Sequence, residues 1–169
     1  DGCGYGHLHA PLSAMAAEPG DAVAQIGDTP YSTLEAALDA ATASEENSVT
    51  IKMLDNCTIT KSITIPEGKT FTLEAEPDAN VTITDNGRYG MRPNGSLTME
   101  NITFITNGQI ALNGTTSGGP FGREITFRNV TLKMDGENYV FNGLGYYCAA
   151  IFADAPANFV FDNCDVEIK

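Results

Sequence analysis

The sequence predicts an all-β chain, a parallel β-helix solenoid of about five coils with an N-terminal capping α-helix. Three observations predict it. Short apolar-Thr-apolar runs recur from Val49 to Phe161, three runs extend into a shared eight-residue phrase, and one helical segment precedes them all. The chain has 169 residues, 42% of them hydrophobic, which suits one domain with a core of its own and excludes general disorder.

Residues 1–22 form an N-terminal arm rich in Gly, Pro and Ala, without sustained periodicity. Ala14-Met15-Ala16-Ala17 looks like the small-residue end of a secretory signal, but no apolar stretch precedes it. The arm reads as a linker or an unprocessed remnant. Cys3, His7 and His9 are soft-metal donors, yet no fourth ligand accompanies them, so no metal and no cofactor is expected. None of the four cysteines forms a Cys-x-x-Cys pair, which argues against structural zinc. If disulfides form, Cys148 with Cys164 is the better pair, leaving Cys3 to pin the arm near Cys57.

A domain over 23–169 follows, opening with a capping helix at 32–43. Ser32-Thr33-Leu34-Glu35 reads as a capping box, hydroxyl and carboxylate each satisfying an orphan amide. Leu34, Ala37, Leu38 and Ala41 then repeat at helical spacing, a narrow apolar stripe that needs something to cover. A helix placed before a run of strands reads as a lid.

From Val49 the period becomes two. Val49-Thr50-Ile51, Ile63-Thr64-Ile65, Phe71-Thr72-Leu73, Val81-Thr82-Ile83, Leu97-Thr98-Met99, Ile125-Thr126-Phe127 and Phe159-Val160-Phe161 are each bounded by turn residues. Three copies share a longer phrase: 97–104 and 125–132 run apolar, polar, apolar, charged, Asn, apolar, polar, apolar, and 159–166 repeats that order except for Val160 at the second position. Residues 53–59 are a looser copy that places Asn56 at the equivalent position. Runs starting at 49, 71, 97, 125 and 159 have the irregular twenty-odd-residue period of a solenoid with unequal loops. Leucine-rich and helical repeats lack their required frameworks here. Two strands joined at a charged-Asn corner account for the pattern, because Asn tolerates left-handed dihedrals and hydrogen-bonds backbone. Leu97, Ile125 and Phe159 should then stack in register.

The pattern resembles the right-handed parallel β-helix of the pectin-lyase-like superfamily, in which coils often carry a ladder of stacked Asn. Asn101, Asn129 and Asn163 match that corner. Val23 to Ala37, followed by the Ser62–Lys69 stretch, also resembles a segment of large surface proteins from Gram-positive gut bacteria. The resemblance spans roughly residues 23 to 169. It implies a right-handed coil and a secreted or cell-surface, extracellular location.

Composition narrows the partners. Nine Lys and Arg stand against 22 Asp and Glu, a net charge of −13 that repels a nucleic-acid backbone. No apolar run is long enough to span a bilayer. The superfamily's hydrolases use clustered aspartates with a Gly-His-Gly; His7 and His9 lie in no such setting. Its lyases use a Lys or Arg base beside calcium-binding carboxylates. Arg88, Arg92, Arg123 and Arg128 are available as bases, and Asp162, Asp165 and Glu167 read as one alternating acidic face that could hold calcium. The simpler reading of that face is solvated charge. Tyr139, Phe141, Tyr146 and Tyr147 crowd a Gly-broken stretch within the longest inter-coil spacing, where a projecting loop could present rings to a sugar. Asn56, Asn80, Asn94, Asn101, Asn113 and Asn129 begin Asn-x-Ser/Thr triplets, which a grammar of Asn, Thr and β-branched residues generates by itself. The functional reading is a non-enzymatic extracellular module for adhesion, glycan binding or spacing on a bacterial surface, with glycans or a host surface as partners. The alternative is a carbohydrate-active enzyme, a polysaccharide lyase or glycoside hydrolase. Because the 159–168 run ends without a capping helix, its edge is expected to be open, either continuing into further coils or pairing with a second copy.

Overall fold

A computed structural model describes residues 20–108, 110–113, 123–134, 149–152 and 157–168. The described chain begins with β1 (Ala24–Ile26) and β2 (Thr29–Tyr31), an antiparallel hairpin turned at Gly27, which has φ 55°. Helix α1 (Leu34–Ala43) follows. Its N-cap is Thr33, not Ser32: the Thr33 hydroxyl accepts from the Ala36 amide at 3.1 Å. The cap lies one residue later because fully buried Leu34 takes the first helical position, which leaves Glu35 in the first turn without the capping-box geometry. Leu34, Ala37, Leu38 and Ala41 are the buried residues of α1, as their spacing predicts.

The strands then repeat in tiers. The first tier is β3 (Ser48–Met53), β4 (Cys57–Ile59) and β5 (Ile63–Ile65), and the second is β6 (Thr70–Ala75), β7 (Val81–Asp85) and β8 (Tyr89–Pro93). The third comprises β9 (Ser96–Glu100), β10 (Ile102–Thr106) and β11 (Ile110–Asn113); the fourth comprises β12 (Arg123–Arg128), β13 (Thr131–Met134) and β14 (Ala149–Phe152). Last come β15 (Ala157–Asp162) and β16 (Asp165–Ile168). Each sheet takes its strands from successive tiers. A seven-stranded sheet runs β15-β12-β9-β6-β3-β1-β2, a five-stranded sheet β16-β13-β10-β7-β4, and a four-stranded sheet β14-β11-β8-β5.

This topology corrects the fold class expected from the sequence. A right-handed parallel β-helix was to account for the whole domain, but the largest sheet is mixed, because β1 pairs antiparallel with both β2 and β3. The chain is mostly β with one helix, in one mixed and two parallel sheets. The tiers also carry a third strand that the two-strand reading lacks. Strand β8 escaped notice because Tyr89-Gly90-Met91-Arg92-Pro93 mixes Gly, Arg and Pro and so hides its period.

Packing follows from register. Inward columns run Val49–Phe71–Leu97–Ile125–Phe159 and Ile51–Leu73–Met99–Phe127–Phe161 through successive parallel pairs. The stacking expected of Leu97, Ile125 and Phe159 is therefore present, with neighbours about 4.8 Å apart at the usual strand spacing. Phe71, Phe104 and Phe127 are fully buried between the sheets, and burying a side chain of this size stabilises by about 1.5–3 kcal/mol. Turns stack as closely as strands. A Cβ at Gly95 would fall on the Lys69 and Pro66 carbonyls, so the Pro93-Asn94-Gly95 turn can ride on the turn of the preceding tier only with glycine there.

Candidate functional site

The corner between the seven- and five-stranded sheets is built from asparagine. Asn80, Asn101, Asn129 and Asn163 all have positive φ, between 51° and 58°. Asparagine bears that left-handed conformation more cheaply than other residues with a side chain. Three of them join in line: Asn163 Nδ2 donates to Asn129 Oδ1 at 2.7 Å, Asn129 Nδ2 to Asn101 Oδ1 at 3.1 Å, and Asn101 Nδ2 to the Ala75 carbonyl at 2.9 Å. These amides are committed to the tiers, which fits the architectural reading of the Asn-x-Ser/Thr triplets at Asn101 and Asn129. Asn56 stands elsewhere. Its Oδ1 accepts from the Thr82 amide at 2.7 Å, and the pairing of Cys57 with Ile83 sets Asn56 two positions past the corner column, whose second-tier member is Asn80. The signal for Asn80 was present: Asn80-Val81-Thr82-Ile83 repeats the order of Asn101-Ile102-Thr103-Phe104 and Asn129-Val130-Thr131-Leu132.

A second polar seam lies where the five-stranded sheet turns toward the four-stranded one. Asp85 is fully buried, with Oδ2 accepting from Thr106 Oγ1 at 2.7 Å and Oδ1 from the Gly87 amide at 2.8 Å. Thr106 Oγ1 in turn accepts from the Gly108 amide at 3.2 Å, and Asn107 Nδ2 donates to Asn86 Oδ1 at 2.7 Å. A buried carboxylate is tolerated only with such partners. The seam is closed by its own hydrogen bonds.

The outward face of the five-stranded sheet is different. Two neighbouring hollows open on it. One, of about 460 Å³, is lined by Asn56, Cys57, Thr58, Thr82 and Thr84. The other, of about 140 Å³, is lined by Pro77, Asn80, Val81, Asn101, Ile102, Thr103 and Asn129. Thr82 of the first is the direct register partner of Thr103 of the second, so the two adjoin across one strand spacing. Alternation along β7 and β10 buries Val81, Ile83, Ile102 and Phe104 and leaves Thr82, Thr84 and Thr103 outward. Among the described residues no charged side chain lines either hollow. Burial pushes the Cys57 thiol up to about 11, with the nearby Glu35 and Asp55 charges adding to the effect, so it stays protonated and inert at neutral pH.

No family model, curated protein or solved structure matches this chain.

The other residues singled out from the sequence are dispersed. Tyr139, Phe141, Tyr146 and Tyr147 lie outside the described residues, as do Cys3, His7, His9 and Cys148. Cys57 and Cys164 are free thiols, and the partners expected for them, Cys3 and Cys148, lie outside the described residues; Cys164 Sγ lies 3.3 Å from both the Phe127 and Asp162 carbonyls. Asp162 belongs to β15 while Asp165 and Glu167 belong to β16, so the single acidic strand face expected of them is divided between two sheets. Among the described residues no group of three His, Cys, Asp or Glu is placed to hold a metal ion. Arg128 pairs with Glu100 at 2.8 Å, and buried Arg123 donates to the Pro93 carbonyl. Arg88 and Arg92 lie over the Tyr89 ring at 4.9 and 5.2 Å. Among the described residues no helix is long and apolar enough to cross a membrane.

Proposed function

We propose that the chain is a non-enzymatic extracellular module of a bacterial surface that binds neutral glycans and so serves adhesion. One observation carries the reading: the outward hydroxyls of Thr58, Thr82, Thr84 and Thr103 line the two adjoining hollows, and among the described residues no charged side chain does, on a chain of net charge −13. A hydroxyl both donates and accepts, which suits a ligand that is itself a neutral array of hydroxyls. A cation or a phosphate would call for charge instead. The shallow trough crosses several tiers, and its larger hollow is within the range of ligand sites. An open trough of this kind accommodates a polymer passing across the sheet. The surface location rests on the resemblance of Val23 to Ala37 to bacterial surface proteins.

The test is a screen of the purified chain against neutral and acidic glycans, with polysaccharide cleavage assayed in parallel. Neutral glycans should bind, and Thr82→Val combined with Thr103→Val should weaken binding at least about tenfold, since two hydrogen-bonding hydroxyls are replaced by methyls of the same shape. Binding unchanged in the double variant, or release of sugar fragments by the wild-type chain, would overturn the proposal.

A further inference from the structure

Five Asn-Gly steps occur in the sequence, and the structure describes three of them in full: Asn86-Gly87, Asn94-Gly95 and Asn107-Gly108. Asparagine before glycine is the step most open to spontaneous deamidation, because glycine leaves the following amide nitrogen unhindered. That nitrogen gives up its proton and attacks the Asn side-chain carbonyl carbon. The Cγ–Nδ2 bond breaks and ammonia leaves. Water then opens the resulting cyclic imide to aspartate or isoaspartate.

Two of these steps lie one tier apart on the Asp85–Thr106 seam, and packing fixes their glycines. A Cβ at Gly87 would meet the Thr60 carbonyl at 2.7 Å, and one at Gly108 would fall on the Gly87 and Arg88 carbonyls. The chain therefore cannot blunt the reaction by giving either position a side chain. Hydrogen bonding acts instead. The Gly87 amide donates to Asp85 Oδ1 at 2.8 Å and the Gly108 amide to Thr106 Oγ1 at 3.2 Å, while Thr106 Oγ1 donates to Asp85 Oδ2 at 2.7 Å. Each attacking nitrogen thus has its proton engaged by a group other than its own Asn. At Gly87 a deprotonated amide would also face the fully buried Asp85 carboxylate, a repulsion that solvent screens little. The asparagines are held as well. Asn107 Nδ2 donates to Asn86 Oδ1 at 2.7 Å, and the backbone amides of Asn86 and Asn107 donate to the Ile59 and Asp85 carbonyls, each at 2.9 Å. The third step is bonded differently, its Gly95 amide donating to the Ile65 carbonyl at 2.9 Å.

We propose that Asn86 and Asn107 are latent deamidation sites, and that Asp85 and Thr106 are the guards that keep them unmodified while the chain is folded. An isoaspartate at 107 would lengthen the backbone by one carbon in a turn that has no room for a Cβ at Gly108. The seam therefore preserves the stacking that builds it. This role is independent of the trough and of any ligand.

Peptide mapping by mass spectrometry tests the proposal, after prolonged incubation of the folded chain and of the chain in denaturant in warm, mildly alkaline buffer. Asn86 and Asn107 should deamidate at least about tenfold more slowly in the folded chain, since attack requires local opening. Thr106→Val removes the acceptor of the Gly108 amide and should raise the rate at Asn107 about tenfold, with Asn94 unchanged. Thr106→Ser keeps the hydroxyl and should keep Asn107 protected. Hydrogen exchange on the wild-type chain gives a second reading that needs no variant: the Gly87 and Gly108 amides should exchange slowly. Equal rates at Asn86 or Asn107 with and without denaturant, a freely exchanging Gly87 or Gly108 amide, or a Thr106→Val chain in which Asn107 stays protected would each overturn the proposal. So would acceleration at Asn94 alongside Asn107 in that variant, because the substitution would then loosen the whole stack and not remove one guard.

Discussion

At the N-terminal end of the stack, α1 lies against the first tier and the β1–β2 hairpin, with Leu34, Ala37, Leu38 and Ala41 buried. At the opposite end Phe161, Val166 and Ile168, which occupy equivalent inward columns, are 43, 46 and 60% exposed. Both ends obey the same strand alternation, so alternation does not decide burial. A residue in an inward column is buried only if something lies on each side of it. The covered end is also tied down by one side chain. Lys69, on the turn between β5 and β6, donates from Nζ to the Ser44, Glu46 and Ala41 carbonyls around the C-terminus of α1. A cation there satisfies carbonyls that the helix leaves unpaired and opposes its dipole.

The largest expected effect probes the exposed end. Phe127 and Phe161 are register partners one tier apart, their rings 5.5 Å apart. Phe127→Ala should cost about 3–5 kcal/mol, as expected for a buried aromatic leaving a cavity. Phe161→Ala removes the same atoms from a half-exposed site, and should cost about 1 kcal/mol, because water already reaches the ring. Urea denaturation of both variants measures the difference. Equal costs would mean that the C-terminal end is covered in solution.

A smaller effect probes the covered end. Lys69→Met keeps the apolar stem and removes the ammonium, and should destabilise by about 1–2 kcal/mol. Hydrogen exchange should rise first in the last turn of α1. If the loss were spread evenly over the strands, Lys69 would not be what holds the helix down.

The smallest effect is a pH slope. Cys57 lies on β4 in the first tier, and its pKa rises from 9.0 to about 11 on folding, chiefly through burial. Above the unfolded value the unfolded chain loses this proton while the folded chain keeps it. The thiol's contribution is therefore complete below about pH 9 and is lost as pH rises through about 11. Denaturation midpoints between these limits should fall less steeply in Cys57→Ala than in the wild type. Identical slopes would place Cys57 in water, and α1 would then not shield the first tier.

Much of this architecture was legible locally. The α1 stripe and the inward-outward alternation of β3, β6, β9 and β12 depend on dihedrals and side-chain direction within a few residues, and those periods stand in the sequence. The Asn corner was legible at Asn101, Asn129 and Asn163 because the surrounding phrase repeats, and it could have been read at Asn80. The candidate trough was not. Its threonines were visible as members of apolar-Thr-apolar runs, but nothing in any one run shows that Thr82 and Thr103 lie side by side.

The sequence by itself determined the segments: where strands alternate, where a helix begins to bury one stripe, and where a left-handed Asn breaks the strand. Tertiary structure alone decided how those segments meet. The antiparallel β1–β3 pair makes the largest sheet mixed, the Asp85–Thr106 bond joins residues 21 apart, and Lys69 reaches the end of a helix 25 residues earlier. The physical reason is the range of the interactions. A backbone dihedral preference is settled within a residue and its neighbours, whereas a hydrogen bond, an ion pair or a buried face exists only once sheet pairing has brought distant segments within a few ångströms. The same difference of range leaves Phe127 dry and Phe161 wet, although their local sequences are alike.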